Sequence, residues 1–313
     1  MDNNVLNQPQ AHFDDEMNLR ELFTVLWVDK IKIITVMAMF AILSVFYALS
    51  VPNQYRASAL LEPAQQQSGG LSGALSQLGG LASLAGVSLG SGESSESQIA
   101  QRIMQSWSFV EGFIKTNNLE IDVFAAKGWD RASGKLEIDE DLYDSGTTEW
   151  LVKNNETNKV GMPSSWELFE TFTDILSVSE DKKTGLVSMS VEYYSPQIAQ
   201  QWLDMYISAI NQHMQERQMA KVTRNIEYLE AQIAKTTIAE MKEVFYTIIE
   251  EQLKSKMLAE ANPDYAFVAV SSSMVPEQKS QPKRALICIL GTLLGGILSV
   301  LMVLIMHYAK KTD

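Results

Sequence analysis

A single cysteine, Cys288, serves all 313 residues, so no intramolecular disulfide can form. An exported domain of this chain must therefore hold itself by core packing or by association. Histidine is scarce too: His12, His213 and His307 lie far apart, with no His-Glu-x-x-His spacing, and no Gly-x-Ser-x-Gly elbow occurs. The one Gly-Lys pair, in "SGKL", lacks both the following Ser/Thr and the upstream glycine of a phosphate-binding loop. These absences predict no enzyme, no metal site and no cofactor. Positive charge is also in deficit, with a net charge of −13. Between Pro52 and Arg284, 20 Lys/Arg stand against 31 Asp/Glu. That balance excludes nucleic acid as a partner, which needs a basic surface, and it repels the segment from an anionic lipid surface.

Against this background two uncharged apolar runs stand out. "IITVMAMFAILSVFYALSV" covers Ile33–Val51, and a second run covers Ala285–Met306, with Thr292 and Ser299 as its mild polar breaks. Each reaches the length of about 20 residues that a spanning helix needs. The first follows about thirty mostly polar and acidic residues and is not trailed by a small-residue cleavage pattern, so it reads as an anchor and not a cleavable signal. Two spans place both tails on one side. Lys30, Lys32, Lys310 and Lys311 fit a cytoplasmic side, although Arg56, Lys279, Lys283 and Arg284 nearly balance them across the membrane. The expected order is a cytoplasmic tail over 1–32, a transmembrane helix over 33–51, a periplasmic domain over 52–284, a second transmembrane helix over 285–306 and a cytoplasmic tail over 307–313.

Within the loop, "YRASALLEP" alternates as a strand ended by Pro63. The stretch "SGGLSGALSQLGGLASLAGVSLGSG" reads equally as a flexible linker or, from its leucines at helical spacing, as a helix. "ESSESQIAQRIMQSWSFVEGFIKTNNL" is predicted as one amphipathic helix carrying Ile99, Ile103, Trp107, Val110 and Ile114. Turn-rich segments "GWDRASGK", "DEDLYDSGTTEW" and "NNETNK" follow, then a short helix in "SSWELFETFTDIL" opened by a serine. The acids Glu137, Asp139, Glu140, Asp141 and Asp144 do not fit a calcium loop, because Asp144 sits where the turn glycine belongs. They read as a solvated acidic loop.

"TGLVSMSVEYY" alternates as a strand, and Ser195-Pro196 supplies an N-cap with proline in the first helical turn. From Gln197 to Asn262 neither glycine nor proline occurs, which predicts a helix over about 196–261. Continuous, it would be about 100 Å long at ~1.5 Å per residue. A hairpin broken near "KTTIAEM" is the alternative, since two threonines lower helix propensity there without forbidding it. Ile226, Leu229, Ile233, Met241, Phe245, Ile248 and Leu253 recur at coiled-coil-like spacing and need partners, from the same subdomain or from neighbouring copies. "DYAFVAVSSS" then reads as a returning strand. Pro276 and Pro282 make a stiff connector into the second span, with Lys283 and Arg284 at headgroup level. In that span Gly291, Gly295 and Gly296 allow close helix approach. The predicted fold class is α+β: two transmembrane helices flanking a periplasmic domain with a membrane-proximal mixed sheet and a very long projecting helix.

The order of an N-terminal span, the "LLEP" strand end, the Gly-Leu-rich stretch, "TGLVSMSVEYYSPQIAQQWLDMYISAIN", "IEYLEAQIAKTTIAEMKEVFYTIIEEQ" and "PEQKSQPKRALICILGTLLGG" resembles the Wzz-type polysaccharide co-polymerases, the chain-length determinants of bacterial surface polysaccharide. Where that family repeats proline at three-residue intervals before Pro-Lys-Arg, Pro276 and Pro282 fit and Lys279 takes the middle place. The resemblance implies a bacterial inner-membrane protein with its domain in the periplasm, forming a homo-oligomeric ring. It would set the modal length of lipid-linked O-antigen made by a separate polymerase, with the polysaccharide or its lipid carrier as a further contact. Relatives in capsule export often carry a fused tyrosine kinase after the second span, and this chain is expected to lack one. The alternative is an inner-membrane component of a capsule or exopolysaccharide export complex; a two-span sensor has tails too short for a signalling domain.

Overall fold

The computed structural model describes residues 26–64, 92–153 and 160–312. The N-terminal tail up to residue 25, nearly all of the Gly-Leu-rich stretch and the "NNETNK" turn lie outside the described residues. The chain divides into two compact units. One comprises residues up to Val51 and from Gln281 onward; the other runs from Pro52 to Ser280.

The first unit is a helix pair, α1 (Lys30–Ser50) and α8 (Arg284–Thr312), packed on each other. By length and composition both can cross a membrane. Their apolar side chains point mostly outward, which fits helices surrounded by lipid and not by a protein core.

The second unit is built on one sheet with strand order β10-β1-β9-β8, in which β1 is Gln54–Pro63, β8 Leu176–Glu180, β9 Val187–Tyr193 and β10 Phe267–Ser271. A short β11 (Lys279–Gln281) also pairs β1. The β1–β10, β1–β9 and β8–β9 pairings are antiparallel. Strand alternation explains the two faces. Ala57, Ala59 and Leu61 of β1 and Val187, Met189 and Val191 of β9 are buried, while Arg56, Ser58 and Ser188 face out. Between β8 and β9 the chain turns at Gly185, whose φ of +72° is one a side chain resists.

α5 (Ser165–Ile175) and the long α6 (Pro196–Lys235) pack on the sheet, and α2 (Gly92–Met104), α3 (Trp107–Thr116) and α4 (Glu120–Phe124) pack against those two helices. The helix predicted over 93–119 is therefore broken. Ser106 takes an extended conformation and its hydroxyl donates to the Ile103 carbonyl, ending α2 and starting α3. Ser164 opens α5 with a reciprocal cap, accepting from the Glu167 N–H while Glu167 accepts from the Ser164 N–H. Aromatic rings form the centre of the core: Tyr206 of α6 meets Phe109, Phe113 and Phe172, and Trp202 packs on Tyr193 with centroids 4.4 Å apart. Three small antiparallel hairpins lie between α4 and α5, pairing β2 (Ala126–Asp130) with β3 (Lys135–Ile138), β4 (Tyr143–Asp144) with β5 (Glu149–Trp150), and β6 (Val152–Lys153) with β7 (Val160–Gly161).

The helix predicted as continuous over 196–261 requires a correction. α6 runs 40 residues and ends at Lys235; Thr236 and Ile238 have extended backbones, and α7 (Ala239–Ala261) runs back along α6. The antiparallel return is fixed by Gln215, whose side-chain amide donates to the carbonyls of Ala259 and Asn262. The cause is local and tertiary together. Thr236-Thr237-Ile238 is a β-branched run with low helix propensity, and reversing there lets two apolar stripes bury each other where one straight helix would leave both in water.

Candidate functional site

In the helix pair, α8 approaches α1 through its glycines. A Cβ at Gly291 would stand 2.5 Å from the Ser44 Cβ, and one at Gly295 would stand 2.4 Å from the Phe40 Cβ; Gly296 lies beside Met37. No side chain fits at those distances, so glycine is what permits the approach. The hydroxyls within the pair turn to their own helices: Ser44 donates to the Ala41 carbonyl, Thr292 to Cys288 and Ser299 to Gly296. Of the connector residues, Pro282 is buried, Pro276 and Arg284 are half-buried, and Lys283 is exposed. The connector is also partly a strand, since Ser280 of β11 donates its hydroxyl to the Gln54 carbonyl of β1.

The stripe residues divide between the two arms of the hairpin. Ile226, Leu229 and Ile233 on α6 and Phe245 and Ile248 on α7 are half-buried, whereas Met241 and Leu253 are 42% and 46% exposed. Tyr228, Val244, Tyr246 and Met257 are exposed as well, so the hairpin keeps an apolar outer surface after its arms have packed.

Sequence reasoning missed the polar residues that root the hairpin. Asn211, 2% exposed, donates to the Phe267 carbonyl and accepts from the N–H groups of Ala266 and Phe267. One side chain thus satisfies three backbone groups at the start of β10. Gln200 donates to the Ser273 carbonyl, and Ser273 donates its hydroxyl to Asp204. Together with Gln215 these residues read the backbone of the returning chain along the first half of α6. The available signal was a polar Asn211 inside the apolar run Leu203, Tyr206, Ile210, Met214.

The acidic loops use their carboxylates to close turns. Asp130 accepts from the N–H groups of Ala132 and Ser133, Asp139 from Asp141, Asp144 from Gly146 and Thr147, and Asp181 from Lys183. The Ser133 hydroxyl together with the backbone bonds holds the Asp130 carboxyl below the usual range, and the backbone bonds, joined by the Thr147 and Thr184 hydroxyls, do the same for Asp144 and Asp181. Among the described residues no group of three or more His, Cys, Asp or Glu is placed to hold a metal ion. Burial shifts other groups upward: the Asp122 carboxyl is raised, and so are the hydroxyls of Tyr206 and Tyr193, which donate to the backbone carbonyls of Met104 and Asp122. These are core tyrosines acting as neutral donors.

With this arrangement in view, the chain can be set beside known proteins. Residues 15–116 match the family model of Wzz, chain length determinant protein. The matched segment takes in α1, β1, α2 and α3, and stops short of the hairpin and α8. Similar solved structures include a full-length bacterial polysaccharide co-polymerase, 14% identical, covering 95% of this chain and 99% of its own, with a TM-score of 0.39. A fragment of the Salmonella Typhimurium polysaccharide co-polymerase WzzB is 11% identical over 73% of this chain and all of the fragment, with a TM-score of 0.27. A point mutant of the Shigella flexneri lipopolysaccharide O-antigen chain-length regulator is 10% identical over 72% of this chain and 100% of its own, with a TM-score of 0.21. None superposes closely enough to transfer an individual contact. The comparison with curated proteins returns no match.

Proposed function

We propose that this protein sets the modal chain length of a lipid-linked surface polysaccharide, the O-antigen of lipopolysaccharide, as an oligomeric scaffold for a separate polymerase. The observation that carries the proposal is the Wzz segment over residues 15–116, on a chain that also holds a second membrane-competent helix at α8. In this reading α1 and α8 anchor the protein in the bacterial inner membrane and the unit from Pro52 to Ser280 lies in the periplasm. Bond making and breaking stay with the polymerase; the scaffold acts by geometry. Copies assemble into a ring through the apolar outer surface of the hairpin, where Met241 and Leu253 are exposed. Gly291 and Gly295 keep the two anchors together, with Pro276, Pro282, Lys283 and Arg284 as the lead-in to the second anchor.

The test is a gel ladder of lipopolysaccharide from a strain lacking the gene, with and without the gene restored. A modal cluster of bands that disappears on deletion and returns on restoration supports the proposal. An unchanged ladder with loss of capsule points instead to a component of an export complex.

A further inference from the structure

Five tryptophans lie between Pro52 and Ser280, and the structure treats them unequally. Trp129 packs edge-on to Tyr55, Trp150 to Tyr143, and Trp202 packs at a tilt on Tyr193 in the core. Trp107 on α3 and Trp166 on α5 are instead 45% and 56% exposed. Tryptophan is the side chain that gains most from burial, so two left in solvent on adjacent packed helices need a reason.

Their surroundings narrow it. The indole N–H of Trp166 donates to Glu170 Oε1 at 2.8 Å, and the ring rests against Phe169 with centroids 5.3 Å apart. The ring is thereby held in one orientation, and its donor is already used within the chain. What Trp166 offers a ligand is a face. Trp107 stands one helical turn before Glu111 on the same side of α3. The Glu111 carboxylate accepts at Oε1 from Ser165, the residue preceding Trp166, and from Lys115. Lys115 and Ser165 also hold the Glu111 carboxyl below its usual range, so it is an ionised acceptor at neutral pH.

We infer that Trp107 and Trp166, with the carboxylates of Glu111 and Glu170, form a platform for a neutral, hydroxyl-rich glycan. Such a ligand presents apolar C–H faces that lie on fixed aromatic rings, and hydroxyl donors that meet carboxylate acceptors. Lys115 offsets the charge of Glu111, so an anionic polymer is repelled by the Glu170 carboxylate and by the acidic balance of the unit. A protein hot spot would seat its tryptophans among apolar neighbours that exclude water, whereas Trp166 is tied to the exposed carboxylate of Glu170 and Trp107 stands a turn from the ionised, half-buried Glu111. The inference rests on the proposed function in one respect only, that the polymer in reach of the protein is a surface polysaccharide.

The experiment uses the full chain in lipid nanodiscs, which avoids sugar-headed detergents. The probe is polysaccharide released by mild acid from the source strain's lipopolysaccharide and labelled at its reducing end, and binding is read by fluorescence anisotropy. W107A and W166A are each expected to weaken binding about tenfold, the loss of one aromatic contact of ~1.4 kcal/mol. W166F, which keeps a ring, should stay within about threefold of wild type. Added polysaccharide should also quench the tryptophan emission of the unaltered protein, a readout that requires no variant to fold. Absence of binding or quenching in the unaltered protein overturns the inference, as does full binding by the W107A/W166A double variant. A smaller oligomer mass in the double variant with polysaccharide binding intact assigns the platform to a protein contact and overturns it too. The proposed function fails separately, if restoring the unaltered gene produces no modal band cluster.

Discussion

Removing the Asn211 side chain tests how the hairpin is rooted. Asn211 makes three hydrogen bonds to the backbone of Ala266 and Phe267, in a position only 2% exposed. Asn211→Ala leaves two N–H donors and one carbonyl without partners in the core, where Ala266 and Phe267 are themselves buried. An orphaned buried polar group costs about 1–3 kcal/mol, and the cavity left by Asn lets some water in, so the low end applies to each and the sum is about 3 kcal/mol. At ~1.4 kcal/mol per decade, the equilibrium for opening the start of β10 shifts by about a hundredfold. The assay is hydrogen exchange followed by mass spectrometry on the full chain in nanodiscs. Peptides spanning 262–271 should exchange about a hundred times faster in the variant, while peptides from α5 should be unchanged. Asn211→Leu separates bonding from packing, because leucine fills nearly the same volume without the polar atoms. Equal loss of protection in both variants shows that the hydrogen bonds hold the strand. Protection within about threefold of wild type in Asn211→Leu would refute the reasoning.

Four further outcomes follow from the structure. Gly295→Ala should destabilise the helix pair by about 1–3 kcal/mol, because the new methyl meets the Phe40 Cβ at 2.4 Å; Phe40→Gly in the same chain, which removes that Cβ, should relieve the clash, whereas Phe40→Ala, which keeps it, should not, read as thermal stability in bilayers. Asp122→Asn should raise the melting temperature at neutral pH. Burial raises this carboxyl in the folded state, so its contribution is full below the unfolded pKa of 3.8 and is lost as pH rises through the folded value; the gain from Asn should shrink toward pH 4, and a lower melting temperature at pH 7 contradicts the assignment. Met241→Glu with Val244→Glu, on the exposed hairpin surface, should reduce the oligomer mass seen by mass photometry and leave the melting temperature within about 2 °C, since surface substitutions away from packed contacts change stability little. Tyr206→Phe should cost about 1–3 kcal/mol in thermal unfolding, because it removes the hydroxyl that satisfies the Met104 carbonyl and leaves that oxygen orphaned in the core.

The sequence by itself determined what short-range chemistry controls. Uninterrupted apolar runs at the two ends mark the helices α1 and α8, because length and lack of charge suffice for a span. Ser195-Pro196 and Ser164 mark the starts of α6 and α5, because capping is settled by the side chains within one turn. Strict alternation in "YRASALL" and "VSMSVEY" marks two strands buried on one face. The tertiary structure decided the rest. Thr236-Thr237-Ile238 is compatible with helix or turn, and only the burial of α7 against α6 selects the turn, a contact between residues far apart along the chain. β8 follows α5 without a break at Leu176 because it gains an edge position beside β9, which nothing in its own five residues demands. Asn211 and Gln215 gain their roles from backbone groups 44 to 56 residues away, and Trp107 and Trp166 stand apart from the other tryptophans only once each ring's neighbours are known. Local propensity names the elements; which faces they bury, and which side chains are left for a partner, follows from how they pack.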